Sequence, residues 1–293
     1  MADTKQHSRR RALRREIAGT IGLLADEQDF TAMRGYRTFV FDEYEPYLRQ
    51  VEDLLRSRAD EGSHTTVALF DPEEYAEFCA DTGLAPDAPA SRSRFTAEVA
   101  VTGTTLPYEG QPLAELARDL IDEAVRQVTQ EYASEFLSHI GPCATCGKDI
   151  GRAALARASE LLLCIFNAAD PGDHQLVCRV SAVPETLVVG LRTDGDLQLE
   201  ETEALELTTV LAFGIAAHNA GGLVMRTSTS GMNDRIYGWR LRGDGLQPFT
   251  AAEAFDAYRT HIEVGGVGVT ETNVDYCEPP DLGEVGQQGG HTH

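Results

Sequence analysis

The sequence predicts a mixed α and β chain, rich in helix, with an α/β N-terminal half followed by an α+β C-terminal half. Three observations predict it. In the first half short apolar runs alternate with segments of helical spacing. In the second half β-rich runs come in pairs between longer helical stretches. Two separate helix-start signals, Asp71-Pro72-Glu73-Glu74 and Thr250-Ala251-Ala252-Glu253, sit where the pattern changes.

Residues 8–24 read as a basic amphipathic helix, with Leu13, Ile17, Ile21 and Leu24 on one face. Thr38–Phe41 is a short β-rich run. Glu43–Glu61 is helical by the spacing of Tyr47, Val51, Leu54, Leu55 and Arg58, and Gly62 ends it. Thr65–Phe70 has the length of a strand. A helix then opens with Asp71 as N-cap, Pro72 at the first helical position and Glu in the first turn, and it stops before Gly83. Leu84–Ser91 is a loop, and Phe95–Val101 alternates like a strand. Gln111–His139 carries the most sustained helical spacing, through Leu113, Leu116, Leu120, Ala124, Val128 and Phe136. A Gly/Pro turn at 141–148 leads to a helix over Arg152–Ala168. His174–Val180 with Thr186–Leu191, and Leu223–Thr227 with Arg235–Leu241, are expected strand pairs on either side of a helix over Glu200–His218. Thr250 and Glu253 form a capping box for a helix through His261. Beyond Val264 apolar residues are scarce. These elements suggest a basic arm (1–25), an α/β domain (26–140), an α+β domain (141–263) and a mobile tail (264–293).

The chain has 293 residues and a formal net charge of −22. The charge is uneven. Residues 1–25 carry six basic side chains against Asp3 and Glu16, a net of +4, so the remainder carries −26. An acidic body of this kind repels phosphate and excludes a general nucleic-acid binder. A protein partner is expected, and the arm docks either on that partner or on the chain's own acidic body. No run reaches the roughly 18–20 apolar residues of a membrane span. Six cysteines are too few for a disulfide framework, and a reduced, cytoplasmic setting is expected.

One segment carries metal-ligand spacing. Cys143-Ala144-Thr145-Cys146 sits in a tight turn, and Gly147 follows so that the backbone can curl round an ion. A closed tetrahedral zinc site needs two more ligands. His174 and Cys178, four apart on one strand face, are the expected pair, with His139 as the alternative. Zn²⁺ in a structural role is therefore the candidate cofactor. The same turn also reads as a redox dithiol, or as two plain thiols. A second set is acidic: Asp42, Glu43, Asp71, Glu73 and Glu74 each follow an expected strand, where α/β sheets bind divalent metals. Helix capping explains Asp71, Pro72 and Glu73 without a metal. No nucleophile elbow, phosphate loop or dinucleotide fingerprint is present. The expected function is a protein-interaction or regulatory module. The alternatives are a divalent-metal-dependent hydrolase or nuclease-like enzyme using Asp42 and Asp71, and a thiol redox protein using Cys143 and Cys146.

Of the 25 basic residues only Lys5 and Lys148 are lysine, as in proteins of high-GC genomes. With Val67–Tyr75 and Tyr237–Leu241, the chain loosely resembles uncharacterised proteins of high-GC actinobacteria, a resemblance that implies no activity. Residues 141–148 resemble one knuckle of a zinc ribbon, without the second Cys-x-x-Cys.

Overall fold

The computed structural model describes residues 19–183, 185–194, 199–264 and 273–283, with backbone alone over 260–264. Residues 8–18 of the arm helix expected over 8–24, and residues 265–272 and 284–293 of the tail, lie outside the described residues. The fold is mixed α and β and helix-rich, with 49% helix against 21% strand among the described residues. It divides into two compact units, up to Gln127 and from Val128 onward. The division falls inside one long helix. The junction expected near residue 140 corresponds to that helix's C-terminal end.

The first unit runs β1 (Thr20–Leu23), α1 (Glu27–Met33), α2 (Tyr44–Asp60), β2 (Thr66–Leu69), α3 (Pro72–Thr82), α4 (Pro89–Thr102), β3 (Thr105–Pro107) and the start of α5 (Leu113–His139). Its three-stranded sheet has the order β1-β2-β3. β1 is parallel to β2, with Ile21 opposite Val67, and β3 is antiparallel to β2. The core gathers Leu23, Phe30, Leu55, Val67, Tyr75, Phe95, Leu116 and Leu120. The α3 signals read as expected: Asp71 caps it and Gly83 ends it in the left-handed region.

Three expectations for this unit are corrected. Thr20–Leu23 is a strand and not the end of a helix; Thr20 and Ile21 are β-branched, and Gly19 and Gly22 weaken a helix there. Thr38–Phe41 is a loop, and its β-like composition serves an aromatic cluster instead. Phe39 and Phe41 stack edge-on or tilted against Phe30 and Tyr47, with centroids 5.2–6.1 Å apart. Phe95–Val101 belongs to α4, which opens at Pro89 and turns Ser91 and Phe95 inward four residues apart.

The second unit contains the rest of α5, then α6 (Ile150–Ala168), β4 (Asp173–Val180), β5 (Leu187–Thr193), α7 (Glu201–Ala216), β6 (Gly221–Ser228), β7 (Asp234–Arg242), β8 (Gly245–Pro248), α8 (Ala251–Val264) and β9 (Val274–Tyr276). The sheet order is β5-β4-β6-β7-β8, all antiparallel, and β9 adds parallel to β7. Both expected strand pairs are present. β9 lies in the stretch expected as tail, and its three residues are too few to carry a period. Every second residue of β4 and β5 faces inward, so Leu176, Cys178, Val189 and Leu191 join one core with Leu161, Ile165, Val210 and Trp239. α7 is buried on all sides from Leu207 to Ala216, which explains why its apolar residues show no stripe. The capping box at α8 forms in both directions: Glu253 accepts from the Thr250 N–H at 2.9 Å, and Thr250 Oγ1 accepts from the Glu253 N–H at 3.3 Å.

Candidate functional site

The expected metal ligands occupy two different settings. Cys143 and Cys146 lie in the turn between α5 and α6. The Cys143 N–H donates to the Lys148 carbonyl at 2.7 Å, and the Gly147 N–H donates to the Cys143 carbonyl at 2.8 Å. Cys143 is buried and Cys146 exposed. His174 and Cys178 do share one face of β4, as a period of two requires, but that face is the core. Burial pushes the Cys178 thiol up to about 12, so no thiolate exists there at neutral pH. His174 Nδ1 lies 3.0 Å from Thr227 Oγ1, which lies 3.0 Å from the Tyr237 hydroxyl. His139 Nδ1 is 2.8 Å from the Glu135 carbonyl, and a carbonyl only accepts, so Nδ1 carries the proton. Among the described residues no three His, Cys, Asp or Glu side chains come together as a metal would require. Among the described residues the four expected ligands form no such group.

The acidic set rearranges in a similar way. Asp71 Oδ1 accepts from the N–H groups of Glu73 at 2.7 Å and Glu74 at 3.1 Å, which is the capping role. Asp42 is exposed in the loop before α2, because no strand delivers it. Two carboxylates feel Asp71: Glu74, raised by burial and then by Asp71 and Glu77, and, more strongly, Asp29. Burial, then Asp26, Asp71 and Glu73, push it up to about 6. Asp26 caps α1 through the Asp29 N–H at 2.8 Å. Parallel β1 and β2 thus each run into an Asp-capped helix, and acids crowd at their carboxyl ends. Spacing alone does not single out Asp26 and Asp29, because Leu13, Ile17, Ile21 and Leu24 read as one helix face running up to them.

A cavity of about 660 Å³ opens in the first unit, between β1, the 38–41 loop, α2 and α4. Phe39, Phe41, Tyr47 and Phe70 supply an aromatic wall, with Leu24 and Met33 between them. Gly22 keeps the β1 wall flat. A Cβ there would sit 2.9 Å from Phe70 Cδ2 and 3.0 Å from Thr96 Oγ1. Two cations, Arg58 and Arg92, also line the space. Arg92 reaches from α4 to the loop: Nη1 donates to Thr38 Oγ1 at 2.9 Å and Nη2 to the Thr38 carbonyl at 3.2 Å. The loop is tied further by Asp87, which accepts the Arg37 N–H at 2.7 Å and, through its carbonyl, the Thr38 hydroxyl. Those bonds use two of the five guanidinium donors. Arg92 has no ion-pair partner among the described residues. A pocket of this size, mostly apolar with a few converging polar groups, is the usual form of a small-molecule site. Sequence reading missed it because its walls come from four separate segments, and Arg92 sits in an unremarkable Ser-Arg-Ser-Arg run.

Among the described residues no helix is long and apolar enough to cross a membrane. No curated protein and no solved structure matches the chain significantly. Residues 8–111 match the profile of a domain of unknown function, DUF8829, and that stretch contains every residue lining the cavity.

Proposed function

We propose that the protein is a cytoplasmic regulatory or interaction module, without catalysis of its own, whose first unit binds a small molecule with an apolar body and one anionic group. The observation that carries this reading is Arg92: a half-buried cation with spare donors and no acidic partner among the described residues, set in an aromatic wall. Burying an unpaired guanidinium is costly, and an incoming carboxylate or sulfonate relieves that cost by bidentate hydrogen bonding. The chain's net charge of −22 works against anions at long range. Binding must then be driven locally, by aromatic contact and by the one guanidinium, which favours ligands with a large apolar part. The cavity of about 660 Å³ falls in the usual range for such ligands.

The test uses decanoate as probe, with decanol as its uncharged counterpart. Decanoate is expected to raise the melting temperature in a saturable way and to be followed by titration calorimetry. Arg92→Gln is expected to weaken decanoate about tenfold or more and to leave decanol unchanged, since a charge-assisted bond to an anion contributes about 1.5–3 kcal/mol. Equal weakening of both probes would assign Arg92 to holding the loop and overturn the anion reading. No binding by either probe would overturn the site.

A further inference from the structure

We propose that Cys143 and Cys146 from two copies of this chain hold one Zn²⁺ between them, so that the metal site is complete only in a dimer. The turn already has the conformation such a pair needs. The Gly147 N–H closes onto the Cys143 carbonyl at 2.8 Å, and the Cys143 N–H closes onto the Lys148 carbonyl at 2.7 Å. Gly147 takes φ +71°, a conformation that favours glycine, which lets the chain turn back directly after the second thiol. The three residues Ala144, Thr145 and Cys146 form the turn itself, which keeps Cys143 and Cys146 within three residues of each other in one loop.

The turn runs straight into the N-terminus of α6, whose positive dipole end favours a neighbouring negative charge. Lys148 is exposed beside the pair. The N–H groups of Thr145 and Lys148 make no hydrogen bond among the described residues and stand two residues after each thiol in turn, where N–H···S bonds to metal-bound sulfur form.

The coordination count points to a second copy. A structural zinc is almost always four-coordinate, and two ligands are supplied here. His174 and Cys178 are held in the core of the sheet, and among the described residues no third ligand joins the pair. Cys146 is exposed, so another chain can reach it. A two-fold axis through the metal brings an identical pair from a second copy and closes the tetrahedron with four sulfurs. On binding, each of the four thiols gives its proton to solvent and Zn²⁺ exchanges water for sulfur; nothing is oxidised or reduced.

The experiment takes the full, untagged chain reconstituted with zinc, and measures metal content together with mass in solution. One zinc per two chains and twice the 31.9 kDa monomer mass are expected. Chelation should return the monomer, and added zinc should restore the dimer. Cobalt substitution should give the intense charge-transfer absorption of four thiolates. Cys146→Ser, at an exposed position, should abolish zinc and dimer while the circular dichroism of the monomer is retained. Cys143→Ser should do the same, but its burial makes Cys146→Ser the deciding variant. One zinc per monomeric chain would mean that the same chain closes the site, for instance through His291 and His293, and would overturn the proposal. So would a dimer that survives chelation, or a chain that takes up no zinc at its reduced thiols.

Discussion

Thr227→Val isolates the part played by His174. Thr227 Oγ1 sits between two buried partners on the inner side of the sheet, 3.0 Å from His174 Nδ1 and 3.0 Å from the Tyr237 hydroxyl. A threonine hydroxyl has one hydrogen to give. Two patterns are consistent: Tyr237 donates to Thr227 and Thr227 to Nδ1, or the Nδ1–H donates to Thr227 and Thr227 to Tyr237, and in both the Thr227 hydroxyl serves both neighbours of a neutral His174. Valine keeps the volume and removes both bonds, so a buried ring nitrogen and a buried phenol each lose their partner. Each such orphan costs about 1–3 kcal/mol, so a loss of about 2–6 kcal/mol is expected. For a body of this size that corresponds to a melting point lower by about 4–24 °C. Adding Tyr237→Phe removes one orphan, and the double variant should regain about 1 kcal/mol relative to Thr227→Val.

The pH dependence has a definite sign. Burial lowers the His174 pKa, with Asp173 and Asp170 opposing the shift. Above the ordinary histidine value both folded and unfolded chains are neutral here, and nothing is lost. As pH falls below it, the unfolded chain takes a proton that the folded chain refuses, and stability declines. Urea unfolding of wild type, Thr227→Val and His174→Gln between pH 7 and 5 measures all of this. If Thr227→Val costs under about 0.5 kcal/mol, or if His174→Gln leaves stability intact but removes bound zinc, the structural reading of His174 is refuted.

The other predictions concern the first unit. Asp71→Ala should lose about 1 kcal/mol through the missing cap, whereas Asp71→Asn should melt within about 1 °C of wild type, because Asn caps nearly as well; an Asp71→Asn chain that melts normally yet loses a Mg²⁺-dependent activity would restore the hydrolase reading. Asp29 has its carboxyl raised to about 6 by burial and by Asp26, Asp71 and Glu73, so between about pH 4 and 6 the folded chain keeps a proton the unfolded chain has lost, and stability falls as pH rises. Asp29→Asn should therefore gain about 1 kcal/mol at pH 7, after allowing for solvent screening of a partly exposed group, and nothing below pH 3.8; equal gains at both pH values would refute the electrostatic cause. Gly22→Ala should push on Phe70 and Thr96, lose about 1 kcal/mol and weaken decanoate, as thermal unfolding and titration would show.

What was legible in the sequence follows from how local each signal is. The α3 boundaries were legible in full, because Asp71, Pro72 and Gly83 each act within a few residues of backbone. The α8 capping box was legible for the same reason. The paired strands of the second unit were legible from composition and period. By contrast, Phe95–Val101 alternates like a strand over seven residues, and only Pro89, six positions earlier, marks the helix that contains it. Phe39 and Phe41 carry strand-like composition for a packing reason, since a loop wrapped on Tyr47 and Phe30 needs aromatics as much as a strand does.

The expected pairing of His174 and Cys178 with the turn cysteines depends on one step, and that step is general. Spacing of four on a strand places two side chains on one face, and His174 and Cys178 do share one. Spacing does not say which face is inside. That is decided by what packs on the sheet, here α7 with its buried run from Leu207 to Ala216 together with Leu161 and Ile165 of α6, and no residue near His174 encodes it. A histidine and a cysteine facing a core need different things from the same atoms facing a metal. The histidine needs a hydroxyl at Nδ1, and Thr227 provides one from the neighbouring strand. The cysteine needs only apolar contact, and keeps its proton. Local spacing supports a ligand pair where the turn itself orients both side chains, as at Cys143 and Cys146. Where tertiary packing orients them, the same spacing is equally compatible with a core.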